Sequence, residues 1–115
     1  MNFVNAGPKV SPNTYGMTTD FIGIYLTLKV YANNIANAFS DALADFTSIV
    51  GIVGAHELTH RITHIKDLPY NPNVPNDLMS VDDNPHGFTL LGNNELRLTL
   101  DEGLLLQQDC VKKHR

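Results

Sequence analysis

The sequence predicts a small α+β domain, and three observations lead to it. Residues 21–28 form a short apolar run rich in strand formers. Two later stretches, one after Lys29 and one around Ile49 to His60, repeat their apolar residues at helical spacing. Thr99-Leu100-Asp101-Glu102 has the form of a capping box that opens a closing helix. At 115 residues the chain makes one domain at most and buries one modest core.

Taken in order, residues 1–20 carry Gly7-Pro8, Ser11-Pro12-Asn13 and Gly16, which read as a loop or arm with one short strand at Phe3-Val4. Residues 21–28 are expected as a strand buried on both faces, and the domain proper as 21–115. From Lys29 the period changes: Tyr31, Ile35, Phe39, Leu43 and Phe46 lie opposite Asn33, Asn34, Asn37 and Asp41. This predicts a helix of about 12 to 16 residues packed on the strand.

Asp45 or Thr47 can cap the next helix, on which Ile49, Ile52, Val53, His56 and His60 share one broad face. Gly51 and Gly54 each weaken that helix by roughly 1 kcal/mol relative to alanine, which fits either a close backbone approach or a tolerated imperfection. Residues 67–77 are so dense in proline, asparagine and aspartate that they must be a loop. The apolar pair Leu78-Met79 interrupts this polar stretch, and Asp82-Asp83-Asn84-Pro85 makes a turn. Gly92-Asn93-Asn94 signals another turn, with Phe88, Leu90 and Leu91 before it and Leu96 and Leu98 after it in the pattern of a short hairpin. After Thr99, residues Leu104, Leu105, Gln108 and Val111 give a helical face, and Lys112, Lys113 and Arg115 suit the negative end of the helix dipole.

The net charge of −4 leaves no basic stripe for nucleic acid. Cys110 is the single cysteine, so no internal disulfide is available, and it reads as a small core residue. There is no apolar run long enough to span a membrane, and the first residues lack the pattern of a signal peptide, so a cytoplasmic location is the default expectation. His86 and His114 read as solvated.

The chemistry concentrates in His56-Glu57-Leu58-Thr59-His60. On a helix, residues four apart lie on one face, so His56 and His60 can point a ring nitrogen at one ion. Glu57 is rotated by about 100° from His56, which places its carboxylate beside that ion without requiring it to be a ligand. Two imidazoles, an open coordination position and a nearby base are the parts of a hydrolytic zinc site.

With these residues in place, the chain over residues 21–113 resembles the metzincin-like branch of the zincin metallopeptidases. The resemblance rests on the strand, the helix, the His56–His60 motif, a third histidine soon after, the Met-turn-like Asn76-Asp77-Leu78-Met79-Ser80, and the Thr-x-x-Glu terminal helix. It implies a small zincin-like domain with a short sheet on the active-site helix, a Zn2+ cofactor, and hydrolysis of a peptide or protein substrate with Glu57 as the base. It also implies that Met79 floors the metal, and some zincins place a tyrosine near the Met-turn, a place Tyr70 can take. The departure is the third ligand. The family puts a histidine ten residues after the first, where this chain has Lys66, and ends the helix at a glycine that is absent here. The nearest histidine is His64, which on an unbroken helix would lie about 12 Å along the axis from His56. His64 therefore serves only if the helix breaks near Arg61 to Thr63; Asp67, Asp77, Asp82 and His86 are the alternates. A catalytically inactive binding module and a structural zinc site with four protein ligands are the competing readings.

Overall fold

The computed structural model describes residues 2–21 and 25–113. It is an α+β domain, as expected, in which a three-stranded mixed sheet lies against helices. Strands β1 (Asn2–Val4), β2 (Gly16–Phe21) and β3 (Tyr25–Tyr31) are ordered β1-β3-β2. β1 runs parallel to β3, with Phe3 opposite Val30, and β2 runs antiparallel, from Gly16 opposite Val30 to Phe21 opposite Tyr25.

This corrects two expectations. The supposed strand over 21–28 is split between the two arms of a hairpin, its residues 22–24 lying outside the described residues. A continuous apolar run has no period to betray where the chain reverses. The supposed arm is correct for the short strand at Phe3-Val4, but its Gly16 to Asp20 belong to the sheet.

β3 extends through Tyr31, and only then does helix α1 (Ala32–Ala38) begin. The long helix expected from Lys29 is therefore one of 7 residues. Of the predicted stripe, Ile35 is buried in it and Phe39 just past its end, whereas Leu43 is 85% exposed; Asn34, expected on the opposite side, is buried and donates to the Ser11 and Thr14 carbonyls. Helix α2 (Phe46–Thr63) is capped by Asp45, whose carboxylate accepts a 2.8 Å hydrogen bond from Ser48 N–H. Its Ile49 and Val53 join Val30, Ile35, Phe39, Leu78, Leu91 and Leu96 in one core. Edge-to-face contact of Tyr15 with Phe39, at 5.2 Å between centroids, extends that core toward β2.

Gly16 is where β2 crosses α2. A Cβ there would lie 2.8 Å from Glu57 Cγ and 2.9 Å from Val53 Cγ1, so only glycine lets the strand settle on this face. Gly51, by contrast, faces open space, with nothing within 4 Å of a Cβ. Its cost to the helix is a tolerated imperfection.

The loop over 67–77 leads into a 3-10 turn at Leu78–Asp83, whose start is capped by Asp77 accepting from Met79 N–H at 3.0 Å. The expected hairpin after it is instead a short helix, α3 (Gly87–Gly92), followed by an irregular segment that meets the turn through an Asp77–Arg97 bridge. The Gly-Asn-Asn signal does mark a reversal, with Asn94 at φ 58°, but it terminates a helix and not a strand. Helix α4 (Leu100–Lys113) opens on the predicted capping box: Thr99 N–H donates to Glu102 Oε1 at 2.9 Å and Glu102 N–H donates to Thr99 Oγ1 at 3.2 Å. The Cys110 side chain and His114 lie outside the described residues. Among the described residues, no helix is long and apolar enough to cross a membrane.

Gly51→Ala should raise the unfolding free energy by about 1 kcal/mol, because helix propensity improves and nothing is displaced. Gly16→Ala should lower it, and a denaturation midpoint that moves the same way in both variants would contradict this account. Burial, opposed by the bond from Thr99 N–H and reinforced by neighbouring Asp77, pushes the Glu102 carboxyl up to about 7. A raised acid stabilises most below its unfolded value and loses that contribution as pH rises through the folded one. Glu102→Gln keeps the box, so its stability relative to wild type should increase between pH 5 and pH 8, measured by urea unfolding across that range.

Candidate metal centre

α2 carries His56 and His60 one turn apart, their rings in edge contact at 4.5 Å between centroids. What fixes the rings is backbone. His56 Nδ1–H donates to the Leu78 carbonyl at 2.9 Å, and His60 Nδ1–H donates to the Ile65 carbonyl at 2.5 Å. A carbonyl can only accept, so each Nδ1 holds a proton, and each ring when neutral presents a lone pair at Nε2. The two Nε2 atoms lie 3.0 Å apart. Asp67 Oδ1 completes the triangle, 3.2 Å from His56 Nε2 and 2.9 Å from His60 Nε2.

Three acceptors thus converge on one point. Such an arrangement is repulsive unless positive charge sits within it. The titration behaviour follows from that. Burial pulls the His56 imidazole down, yet the bonds to Asp67 and Leu78 outweigh it and the net shift is upward. The bond to Asp67 lifts His60 to about 9 against the opposing effect of burial. Both imidazoles together hold Asp67 well below the usual carboxylate range. A divalent ion fits the same place. Bonds of about 2.0 to 2.1 Å in a tetrahedral site put ligand atoms roughly 3.3 Å apart, close to the separations here. Carbonyls that orient a ligating imidazole through its other nitrogen are the usual outer support of such a centre.

Asp67 reaches this position because α2 ends at Thr63. His64 takes a left-handed conformation, φ 59°, and its N–H donates to the His60 carbonyl. α2 stays helical through Thr63, so the break near Arg61 to Thr63 that a His64 ligand would require is absent; the chain turns only at His64, and that turn delivers Asp67. His64 itself is exposed at the helix end, beyond the donor groups formed by His56, Glu57 and His60 and by His56, Asp67 and Asp82. Of the other alternates, Asp77 caps the 3-10 turn and His86 is exposed at the start of α3. The sequence held no signal that would single out Asp67, since the left-handed turn falls on a histidine and not on glycine.

Glu57 is buried, 5% exposed. Thr18 Oγ1 donates to its Oε2 at 2.9 Å, while Oε1 lies 3.8 Å from His56 Nε2. Burial pushes this carboxyl up, partly offset by His56 and Thr18. Met79 is fully buried, and its carbonyl accepts from Leu68 N–H at 2.8 Å, next to Asp67. Tyr70 is half-buried, and its backbone N–H donates to Asp83. Two cavities flank the triangle, one of about 660 Å³ bounded by Tyr15, Val53, Leu78 and Leu91, the other of about 440 Å³ bounded by Met17, His60, His64 and Lys66. Gly16, Glu57 and Asp82 line both, and Tyr70 lines neither.

Comparison with protein-family models, with curated proteins and with solved structures gave no match.

Asp67, and not His64, has an oxygen against both Nε2 atoms. Asp67→Ala should weaken zinc binding by more than the roughly 100-fold that loss of an outer-shell partner costs. His64→Ala should leave it within a few-fold of wild type. Competition titration against a chromogenic chelator reads both, and the opposite ranking would return the third position to His64.

Proposed function

We propose that this domain is a zinc-dependent peptidase of zincin type, with His56, His60 and Asp67 as the metal ligands and Glu57 as the general base. The observation that carries the reading is the convergence of three acceptor atoms beside a buried carboxylate. When bound, zinc would supply Lewis acidity, polarising the scissile carbonyl and acidifying water.

The chain's own residues do the rest. Glu57 takes a proton from the attacking water and passes it to the amine nitrogen as the C–N bond breaks, leaving a carboxylic acid and an amine. Thr18 holds Oε2, which leaves Oε1 on the side of His56 to make that transfer. A carboxyl whose affinity for protons is raised by burial suits a base that must hold a proton between the two steps. The Leu78 and Ile65 carbonyls keep both imidazoles in the tautomer that can ligate. The two adjoining cavities give a peptide room on either side of the centre. Met79, packed out of solvent on the turn that holds His56, fits the floor role implied by the resemblance. Tyr70, tied back to Asp83, has no part in this scheme.

Glu57→Gln should keep zinc and fold while hydrolysis falls by about 10² to 10⁴-fold. The assay is cleavage of a broad peptide library by zinc-loaded wild type and variant, with a chelator control. Wild-type protein that binds zinc and cleaves nothing would decide for a binding module or a structural site.

A further inference from the structure

Asp82 belongs to the same centre, yet the scheme above gives it no role. It sits on the 3-10 turn that also presents the Leu78 carbonyl to His56. A carboxylate oxygen of Asp82, one of Asp67 and a ring nitrogen of His56 all lie within 4.8 Å of one another. The His56 side chain is more than nine-tenths buried, and its Nε2 lone pair is directed into this group. The Asp82 and Asp67 carboxylates thus face one another at the His56 ring. Two carboxylates this close repel unless a proton or a cation lies between them.

The local charge balance favours a cation. Glu57, Asp67 and Asp82 supply three carboxylates, and the ion pairs found at them among the described residues run to His56 and His60. Both rings have Nδ1–H committed to backbone, so only Nε2 of each faces these carboxylates. Lys66 lines only the smaller of the two cavities, whereas Asp82 lines both.

We infer that Asp82 is a fourth protein ligand, occupying in the resting state the coordination position that a substrate carbonyl or water must take. This rests on the proposed metal centre and deepens it. Four donors complete a tetrahedral zinc site, and a complete site is inert until one donor leaves. Asp82 is the donor suited to leave. It is solvent-exposed, on a short turn, and it lies between the two cavities where substrate would enter. His56 and His60 are locked on α2. The turn is itself anchored, by Leu78 N–H to the Arg97 carbonyl at 2.8 Å and by Met79 N–H to Asp77, so Asp82 can swing out by its own side chain without disturbing the carbonyl that orients His56. The centre would thus carry its own displaceable inhibitor, and ligands that compete for the metal would first compete with Asp82.

The test uses Co2+ as a spectroscopic ion, with azide as a small external ligand. Wild type and Asp82→Asn are titrated with Co2+, and the visible d–d bands are recorded before and after azide. Wild-type bands should be unmoved by millimolar azide, whereas Asp82→Asn should bind Co2+ about tenfold or more weaker and show bands that shift on azide addition. A wild-type spectrum that shifts with azide as readily as the variant's, or equal Co2+ affinity of the two proteins, overturns the inference while leaving the His56–His60–Asp67 centre in place. Failure of wild type to bind Co2+ or Zn2+ at all overturns both. The azide response of wild type decides the matter even if the variant does not fold.

Discussion

Two backbone carbonyls govern this molecule. Leu78 C=O and Ile65 C=O each take the Nδ1 proton of one imidazole, and in doing so they fix which nitrogen faces the centre. Leu78 lies 22 residues from its histidine, whereas Ile65 is only 5 residues past His60. Ile65 comes into place because α2 ends in a left-handed turn at His64. Leu78 comes into place because the long loop returns its chain to α2 and is held there by Arg97 and Asp77. The proline-rich loop, the helix end and the 3-10 turn are thus parts of one device for holding two rings in one tautomer.

The same helix serves core and centre. Ile49 and Val53 point into the apolar cluster, and within one further turn the face becomes His56 and Glu57, both still buried. The burial that raises the Glu57 carboxyl is therefore an extension of the core, completed by β2 crossing at Gly16 and by the hydroxyl of Thr18. A carboxyl held on a packed helix keeps its position more closely than one held on a loop.

Much of this was legible in advance where a local rule has one outcome. The spacing of His56 and His60, the Asp45 cap and the Thr99–Glu102 box all depend on residues within one or two turns, and each appears in the structure. The failures have a common cause: they turn on tertiary choices. The apolar run at 21–28 reads the same whether it is one strand or parts of two. Tyr31 fits a helical period, but pairing with Val4 keeps it in the sheet. Leu90 and Leu91 fit a strand before a turn equally well as the last turn of a helix. Asp67 was one aspartate among several, and its selection depends on a left-handed residue that nothing in the local composition marks.

β1 is three residues long, with Phe3 60% exposed, and it is joined to β3 across 27 positions of chain. Beyond the ladder its main tether is the side chain of Asn33, which accepts from Ala6 N–H at 2.7 Å and donates to the Ala6 carbonyl. So little buried area against so long a closure makes this edge the natural place for the native state to open first. β2, on the far side of β3, is pinned to α2 and does not share that weakness. Amide exchange would then be uneven within a single sheet, fast at Phe3 and Val4 and slow at Thr18, so that the molecule breathes at one margin while the strand against Glu57 stays closed.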